Sequence, residues 1–217
     1  LPYKQIFDMD ISMHLFEPQK KYFEILKFKY QDSKNIKLYE YGCGEKPEEQ
    51  QLNIASNDGA SSSILEPKIH LDIHPDVKFT SKEVVNIRTL DSFNIIDSNF
   101  LNIDIQGYEL KALKGSLNTL SKIKYIYMEV NKREVYKDCP LVQEIDSFLD
   151  KFGFIRVATK YAYDTLPWGD ALYIKQEELK KSQIMKSRIK IFIYDVNFLY
   201  IVYISLRKLY WKTKIFT

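Results

Sequence analysis

The sequence predicts an α/β fold with a Rossmann-like sheet, mostly parallel but with an antiparallel last strand, on three observations. Residues 100–105 have the pattern of a buried strand, and Gly107 then permits a sharp turn. A helix is predicted next, because leucines recur at spacings of three and four. The apolar runs 154–158 and 168–174 are joined by a short link, which favours antiparallel pairing. The helix leucines are Leu110, Leu113, Leu117 and Leu120.

Acidic and amide side chains follow two of the predicted parallel strands. Asp104, Gln106 and Glu109 come at the end of the central strand, and Glu129 lies near the end of the next strand, residues 123–130. Ligands of open α/β sheets bind at the carboxyl ends of the strands, so a site is predicted there. The alternative is an ordinary strand–helix corner with solvated carboxylates, and Glu109 has the further alternative of stabilising the helix start.

The first predicted unit is a short strand at residues 11–16, followed by Glu17 and by a helix that Pro18 opens. A carboxylate at the end of such a strand has two acceptor oxygens for the two hydroxyls of a ribose. The alternative is a surface glutamate before a helix. Gly42 and Cys43, after the strand at 36–41, belong to a Gly-Cys-Gly turn that would let the backbone skirt an adenine, although this signal is weak.

The stretch between the early and central strands is predicted to be largely irregular. Residues 51–55 are expected to form a hairpin partner, residues 56–63 a polar loop, and residues 66–82 an excursion that shapes an acceptor pocket. His70 and His74 have the spacing of a helical metal pair, but Pro75 favours a loop, so no metal site is predicted.

Several of these stretches together resemble the FkbM-type methyltransferase family. The family resemblance implies a class I Rossmann-like fold, S-adenosylmethionine as cofactor, and O-methylation of a hydroxyl on a sugar, glycan or similar small molecule. It implies a general base among Asp104, Glu109 and Glu129, in that order of preference. Cofactor contacts are expected from Glu17, Gly42, Cys43, Asp104 and Gln106. The matching stretches are residues 16–18, 57–62, 102–109, 113–115 and 127–130.

One element of the family pattern is missing. The family has a Gly-rich turn after its first strand, whereas the residues before Glu17 include no glycine. The sequence therefore predicts an N-terminally truncated methyltransferase domain at residues 1–175, lacking the first strand and the Gly-rich turn. The alternative function is a non-catalytic remnant that serves as an interaction or membrane-tethering module.

Residues 176–217 are predicted to be a basic and apolar helical tail. The formal net charge of +3 resides in this tail, because the remainder of the chain is net acidic. The apolar run 191–204, with basic flanks within 186–214, is compatible with a docked helix, a membrane-surface helix or a short span. Nucleic acid is not an expected partner, because the core lacks a basic stripe. Two widely spaced cysteines favour a reducing, cytoplasmic location, with membrane association left open.

Overall fold

The computed structural model describes residues 12–161 and 166–187. Its strands are β1 (Met13–Phe16), β2 (Ile36–Tyr39), β3 (Gly42–Cys43), β4 (Glu48–Ala55), β5 (Phe79–Arg88), β6 (Phe100–Ile103), β7 (Tyr125–Asn131), β8 (Phe154–Tyr161) and β9 (Trp168–Lys175). Its helices are α1 (Lys20–Lys29), α2 (His70–Ile73), α3 (Glu109–Lys114), α4 (Leu117–Leu120) and α5 (Val142–Asp150). Residues 181–187 are also helical, within the basic helix predicted for the tail.

The largest sheet contains the central strand and has the order β6-β7-β9-β8. β6 and β7 run parallel, whereas β9 is antiparallel to both of its neighbours, which confirms the predicted antiparallel final pair. One face of this sheet packs on α3, α4 and α5. Because side chains alternate along a strand, the residues between these core positions lie on the opposite face. The core of this layer includes Ile103, Leu113, Leu120, Ile126, Met128, Ile145, Leu149 and Ala171.

The other strands form two smaller sheets. β1 and β2 make a parallel pair, and β3, β5 and β4 make a sheet in which β4 and β5 are an antiparallel hairpin. The α/β class is thus confirmed, with mixed sheets, but the described strands do not form one mostly parallel sheet. The strands β4 and β5 pair with each other and form a separate sheet. Gly42 and Cys43, which were expected to form a turn, join that sheet as the short strand β3 beside Ile87.

The helix predicted after Gly107 is broken into α3 and α4 at Gly115. A Cβ at Gly115 would overlap the carbonyl oxygen of Gly44, so the chain approaches the end of β3 too closely for a larger residue. Both carboxylate oxygens of Asp91 then accept backbone N–H groups of α4, from Asn118 at 2.9 Å and Thr119 at 2.8 Å. Leu117 consequently points away from the core, 46% exposed, and does not share one buried face with the other leucines.

Three further predictions concern the periphery. The excursion at residues 66–82 is less irregular than expected, since His70 and His74 bracket the single turn of α2 and β5 starts at Phe79. Helix α1 forms where predicted, but none of its residues is buried. Within the described residues, no helix is long and apolar enough to cross a membrane, and the apolar run 191–204 lies outside them.

Candidate active site

Three carboxylates lie side by side across the largest sheet. Glu129 of β7 is directly opposite Asp170 of β9. Ile103 pairs with Met128, so Asp104, the next residue, continues the register beside Glu129. We call Asp104, Glu129 and Asp170 the carboxylate row. It occupies the sheet face opposite the buried core, at the carboxyl ends of the parallel strands β6 and β7.

The carboxyl groups of the row lie close enough together for negative charge on one to disfavour ionisation of its neighbour, which raises the pKa values of Asp104 and Glu129. Burial, together with repulsion from Asp104, Glu109 and Asp170, raises the pKa of Glu129 to about 9. Burial also raises the pKa of Asp104, and Asp170 adds to that shift. Asp104 nevertheless remains exposed to solvent as a residue. The structure therefore places Asp104 and Glu129 side by side with Glu109 close to both, and adds Asp170, which sequence analysis did not identify.

Glu109, the second candidate base, has a different environment. Its side chain is 1% exposed, and Oε1 accepts the backbone N–H groups of Gly107 at 3.0 Å and Ile105 at 3.2 Å. Burial raises its pKa to about 7. These bonds close the turn between β6 and α3, so the geometry favours the alternative in which Glu109 stabilises the start of the helix.

Gln106 connects the carboxylate row to the loop after β4. Its φ of 54° places it in the left-handed region, and Gly107, with φ of 96°, makes the sharp turn that was predicted. Nε2 of Gln106 donates to Oδ1 of Asp104 at 2.7 Å, and the hydroxyl of Tyr136 donates to Oε1 at 2.9 Å. The hydroxyl of Ser63 donates to the Gln106 carbonyl at 2.6 Å. The strained turn is thus held by hydrogen bonds on three sides.

Glu17 follows β1, and the residues around it lie close to β3. A Cβ at Gly42 would lie 3.6 Å from Cβ of Pro18, the residue after Glu17. A Cβ at Gly44 would lie 3.2 Å from Cε1 of Tyr108, at the start of α3. β3 therefore lies close both to the residue after Glu17 and to the ring of Tyr108. Oε1 of Glu17 accepts the backbone N–H two residues later at 2.7 Å, and burial raises its pKa.

Two predictions about cysteine and metal chemistry can be compared with the structure. Cys43, expected near the cofactor, is a free thiol whose pKa burial raises to about 12, so it is a neutral thiol at physiological pH. The rings of His70 and His74 are in contact, with centroids 5.2 Å apart and planes tilted by 50°. No group of three or more His, Cys, Asp or Glu in the part of the chain that the structure describes is arranged to hold a metal ion.

Sequence analysis missed a set of residues beside the carboxylate row. Tyr136 is fully buried, and its hydroxyl oxygen also lies 3.0 Å from the carbonyl oxygen of Ser61, so Ser61 and Gln106 compete for its single hydrogen. Trp168 lies opposite Asn131, the last residue of β7. No local sequence signal marks these residues as neighbours, because they come from separate stretches of the chain.

The raised pKa values predict how stability changes with pH. Glu129 and Glu109 keep their protons in the folded protein up to pH about 9 and about 7, whereas the ordinary value is 4.5. The folded state then binds more protons than the unfolded state, so the free energy of unfolding falls as pH rises through this window. Each carboxyl contributes a slope of up to about 1.4 kcal/mol per pH unit.

Urea unfolding between pH 5 and 9 measures this slope, with Glu129→Gln as the test variant. We expect a flatter curve for Glu129→Gln than for the wild type, because one of the titrating groups has been removed. Glu49→Gln, at an exposed position of β4, is the matched control and should keep the wild-type slope. Parallel curves for Glu129→Gln and the wild type would contradict the assignment.

Taken together, the described residues define an α/β protein with an acidic edge at the carboxyl ends of its parallel strands. The family model described as the methyltransferase FkbM domain matches residues 4–156. The chain therefore belongs to the FkbM methyltransferase family.

Two relatives are similar to this chain. The protein named 2-O-methyltransferase NoeI, from Sinorhizobium fredii (strain NBRC 101917 / NGR234), is 25% identical over 130 residues, which are 55% of this chain and 54% of NoeI. The chain thus spans about half the length of this curated relative. The crystal structure of methyltransferase FkbM from Methylobacillus flagellatus KT matches with a TM-score of 0.45 and 18% identity, covering 75% of this chain and 36% of that one.

Proposed function

We propose that this protein transfers a methyl group from S-adenosylmethionine to a hydroxyl oxygen of a small-molecule or glycan acceptor. The carboxylate row is the observation that carries this proposal. It offers negative charge where a cationic cofactor would bind and a proton acceptor where an alcohol would react. The family of the chain supports methyl transfer, and the name of the relative NoeI, a 2-O-methyltransferase, supports oxygen as the acceptor atom.

Glu17 and the carboxylate row fit such a cofactor in charge and in hydrogen-bonding capacity. After bonding Gln19, the carboxylate of Glu17 retains acceptor capacity for a ribose hydroxyl. Gly42 lies beside Pro18, the residue after Glu17, and neither Gly42 nor Cys43 has a bulky polar side chain. When bound, S-adenosylmethionine supplies an electrophilic methyl group on a positively charged sulfur. The carboxylate row attracts that positive charge.

Within this proposal, Asp104 accepts the proton of the acceptor hydroxyl. Its Oδ1 is held by Gln106, and the exposed side chain leaves the second carboxylate oxygen available to the acceptor. Holding the acceptor oxygen in line with the methyl carbon and the sulfur lowers the entropic part of the barrier. Glu129, protonated at neutral pH, lies beside Asp104 and becomes ionised when a positive charge lies near it.

Calorimetric titration with S-adenosylmethionine and S-adenosylhomocysteine between pH 6 and 9 tests the proposal. The sulfonium favours the ionised form of Glu129, so binding releases a proton and tightens as pH rises, by up to about tenfold per pH unit. S-adenosylhomocysteine has a neutral sulfur, and we expect a weaker pH dependence for it. A parallel assay follows transfer of a labelled methyl group to alcohols.

Two results would contradict the proposal. Failure of both ligands to bind the protein would contradict the proposal that it uses S-adenosylmethionine. Equal pH dependence for the two ligands would show that the carboxylate row does not interact with the sulfonium.

A further inference from the structure

Two buried polar side chains beside the carboxylate row have hydrogen-bonding atoms without partners. Asn131 is 1% exposed, and neither Nδ2 nor Oδ1 of its amide has a hydrogen-bond partner. His70 is 4% exposed, and its Nδ1 also has none. Leaving a buried polar group unpaired costs about 1–3 kcal/mol. Their arrangement therefore suits a polar ligand that is bound at this place.

Aromatic rings connect these two side chains. Asn131 lies directly opposite Trp168 across the β7–β9 pair. The indole of Trp168 is 5.4 Å from the ring of His74, which is 5.2 Å from the ring of His70. Trp168 is half-buried and His74 is exposed, so the series is open to solvent on one side. We call His70, His74, Asn131 and Trp168 the aromatic–amide cluster.

The aromatic–amide cluster adjoins the carboxylate row along two strands. Asn131 is two residues beyond Glu129 on β7, and Trp168 is two residues before Asp170 on β9. Residues two apart on a strand lie on the same face. A ligand held by the cluster is therefore next to Glu129 and Asp170, and one strand away from Asp104, the proposed proton acceptor.

The protonation state of His70 follows from its neighbours. Asn57 accepts the backbone N–H of Ser61 with Oδ1, so its Nδ2 is the donor to Oγ of Ser61 at 2.9 Å. Oγ of Ser61 lies 3.0 Å from Nε2 of His70 and can donate its proton there, which leaves a hydrogen on Nδ1. Burial, with His74, lowers the pKa of His70, so the ring is neutral at physiological pH.

We propose that the aromatic–amide cluster binds the methyl acceptor as an uncharged pyranose ring, with Trp168 and His74 against its C–H face and Asn131 and His70 bonded to its hydroxyls. A pyranose has an apolar face and a rim of groups that both donate and accept, which matches aromatic rings beside a neutral amide and imidazole. This inference rests on the proposed function for the role of the sugar as methyl acceptor.

Nuclear magnetic resonance of the 15N-labelled chain tests the cluster directly. The chain has two tryptophans, and Trp168→Phe assigns the indole N–H signal of Trp168. The probes are methyl α-D-galactopyranoside, methyl α-D-glucopyranoside and methyl α-D-mannopyranoside, with cyclohexanol and glycerol as controls. We expect a saturable shift of the Trp168 signal with at least one pyranoside and none with the controls.

Variants separate specific binding from a change of fold. Asn131→Ala and His70→Phe should each weaken pyranoside binding roughly 3- to 10-fold, as expected for the loss of a hydrogen bond to a neutral ligand. Asn118→Ala, at an exposed position in α4, is the matched control and should bind like the wild type. Amide spectra of each variant report whether it is folded.

Three outcomes would overturn the inference: no saturable shift with any pyranoside, an equal shift with cyclohexanol, or unchanged affinity in a folded Asn131→Ala protein. Pyranoside binding without methyl transfer would support the cluster as a sugar site and contradict only the proposed function. Methyl transfer to other alcohols without pyranoside binding would contradict only this inference.

Discussion

Replacing Asp146 by alanine is expected to destabilise the protein by about 3–5 kcal/mol, because it leaves a buried guanidinium without the carboxylate that neutralises its charge. Arg156 is 6% exposed and bonds Asp146 through two nitrogens, with Nε at 3.0 Å from Oδ1 and Nη2 at 2.8 Å from Oδ2. The hydroxyl of Tyr173 also donates to Oδ1 of Asp146, at 2.7 Å. One carboxylate thus holds α5 against both β8 and β9.

Urea unfolding of single and double variants measures this effect. Asp146→Ala should be far less stable than Asp146→Ala combined with Arg156→Met, because the double variant contains no unpaired buried charge. Glu45→Ala removes the exposed ion pair with Lys111, which is 3.1 Å long, and should change stability by less than about 1 kcal/mol. A destabilisation by Asp146→Ala as small as that of Glu45→Ala would show that Arg156 is hydrated in the folded protein.

The sequence predicted those features that depend on nearby residues. The strand–turn–helix at residues 100–114 follows from a local apolar pattern and one glycine, and the structure has it. Asp104 and Glu129 could be placed at one edge because parallel strands end on the same side. Asp170 could not, because its position beside Glu129 depends on the antiparallel register of β9, which a pattern of apolar residues does not determine.

The features that were missed depend on contacts between distant residues. The helix break at Gly115 arises from the approach of Gly44, and no local signal marks that contact. No local signal marks Arg156 as buried, yet its guanidinium is buried because Asp146 of α5 neutralises it. Both cases show tertiary packing overriding a local pattern.

Replacing Asp104 by asparagine is expected to lower kcat for methyl transfer by about 10²- to 10⁴-fold, the usual contribution of a general base. The amide keeps the shape of the side chain and can still bond Gln106, so the turn should remain intact. Because the carboxylate is lost rather than the binding surface, KM for the alcohol should change little. Asp32→Asn, at an exposed position after α1, is the matched control and should retain full activity.

The pH profile distinguishes Asp104 from Glu129 as the base. In Asp104→Asn, the remaining kcat should rise with pH, because only the alcohol that has already lost its proton to solvent can react. In Glu129→Gln, the pH profile of kcat should still show the ionisation of Asp104. If Glu129→Gln instead shows the larger loss of kcat and Asp104→Asn mainly weakens S-adenosylmethionine binding, the roles are exchanged. Such an exchange is physically reasonable, because ionised Glu129 would be the stronger base of the two. Its greater basicity is useful only if the cofactor's positive charge keeps it ionised, so the activity of Glu129 would then depend on the sulfonium, whereas that of Asp104 would not.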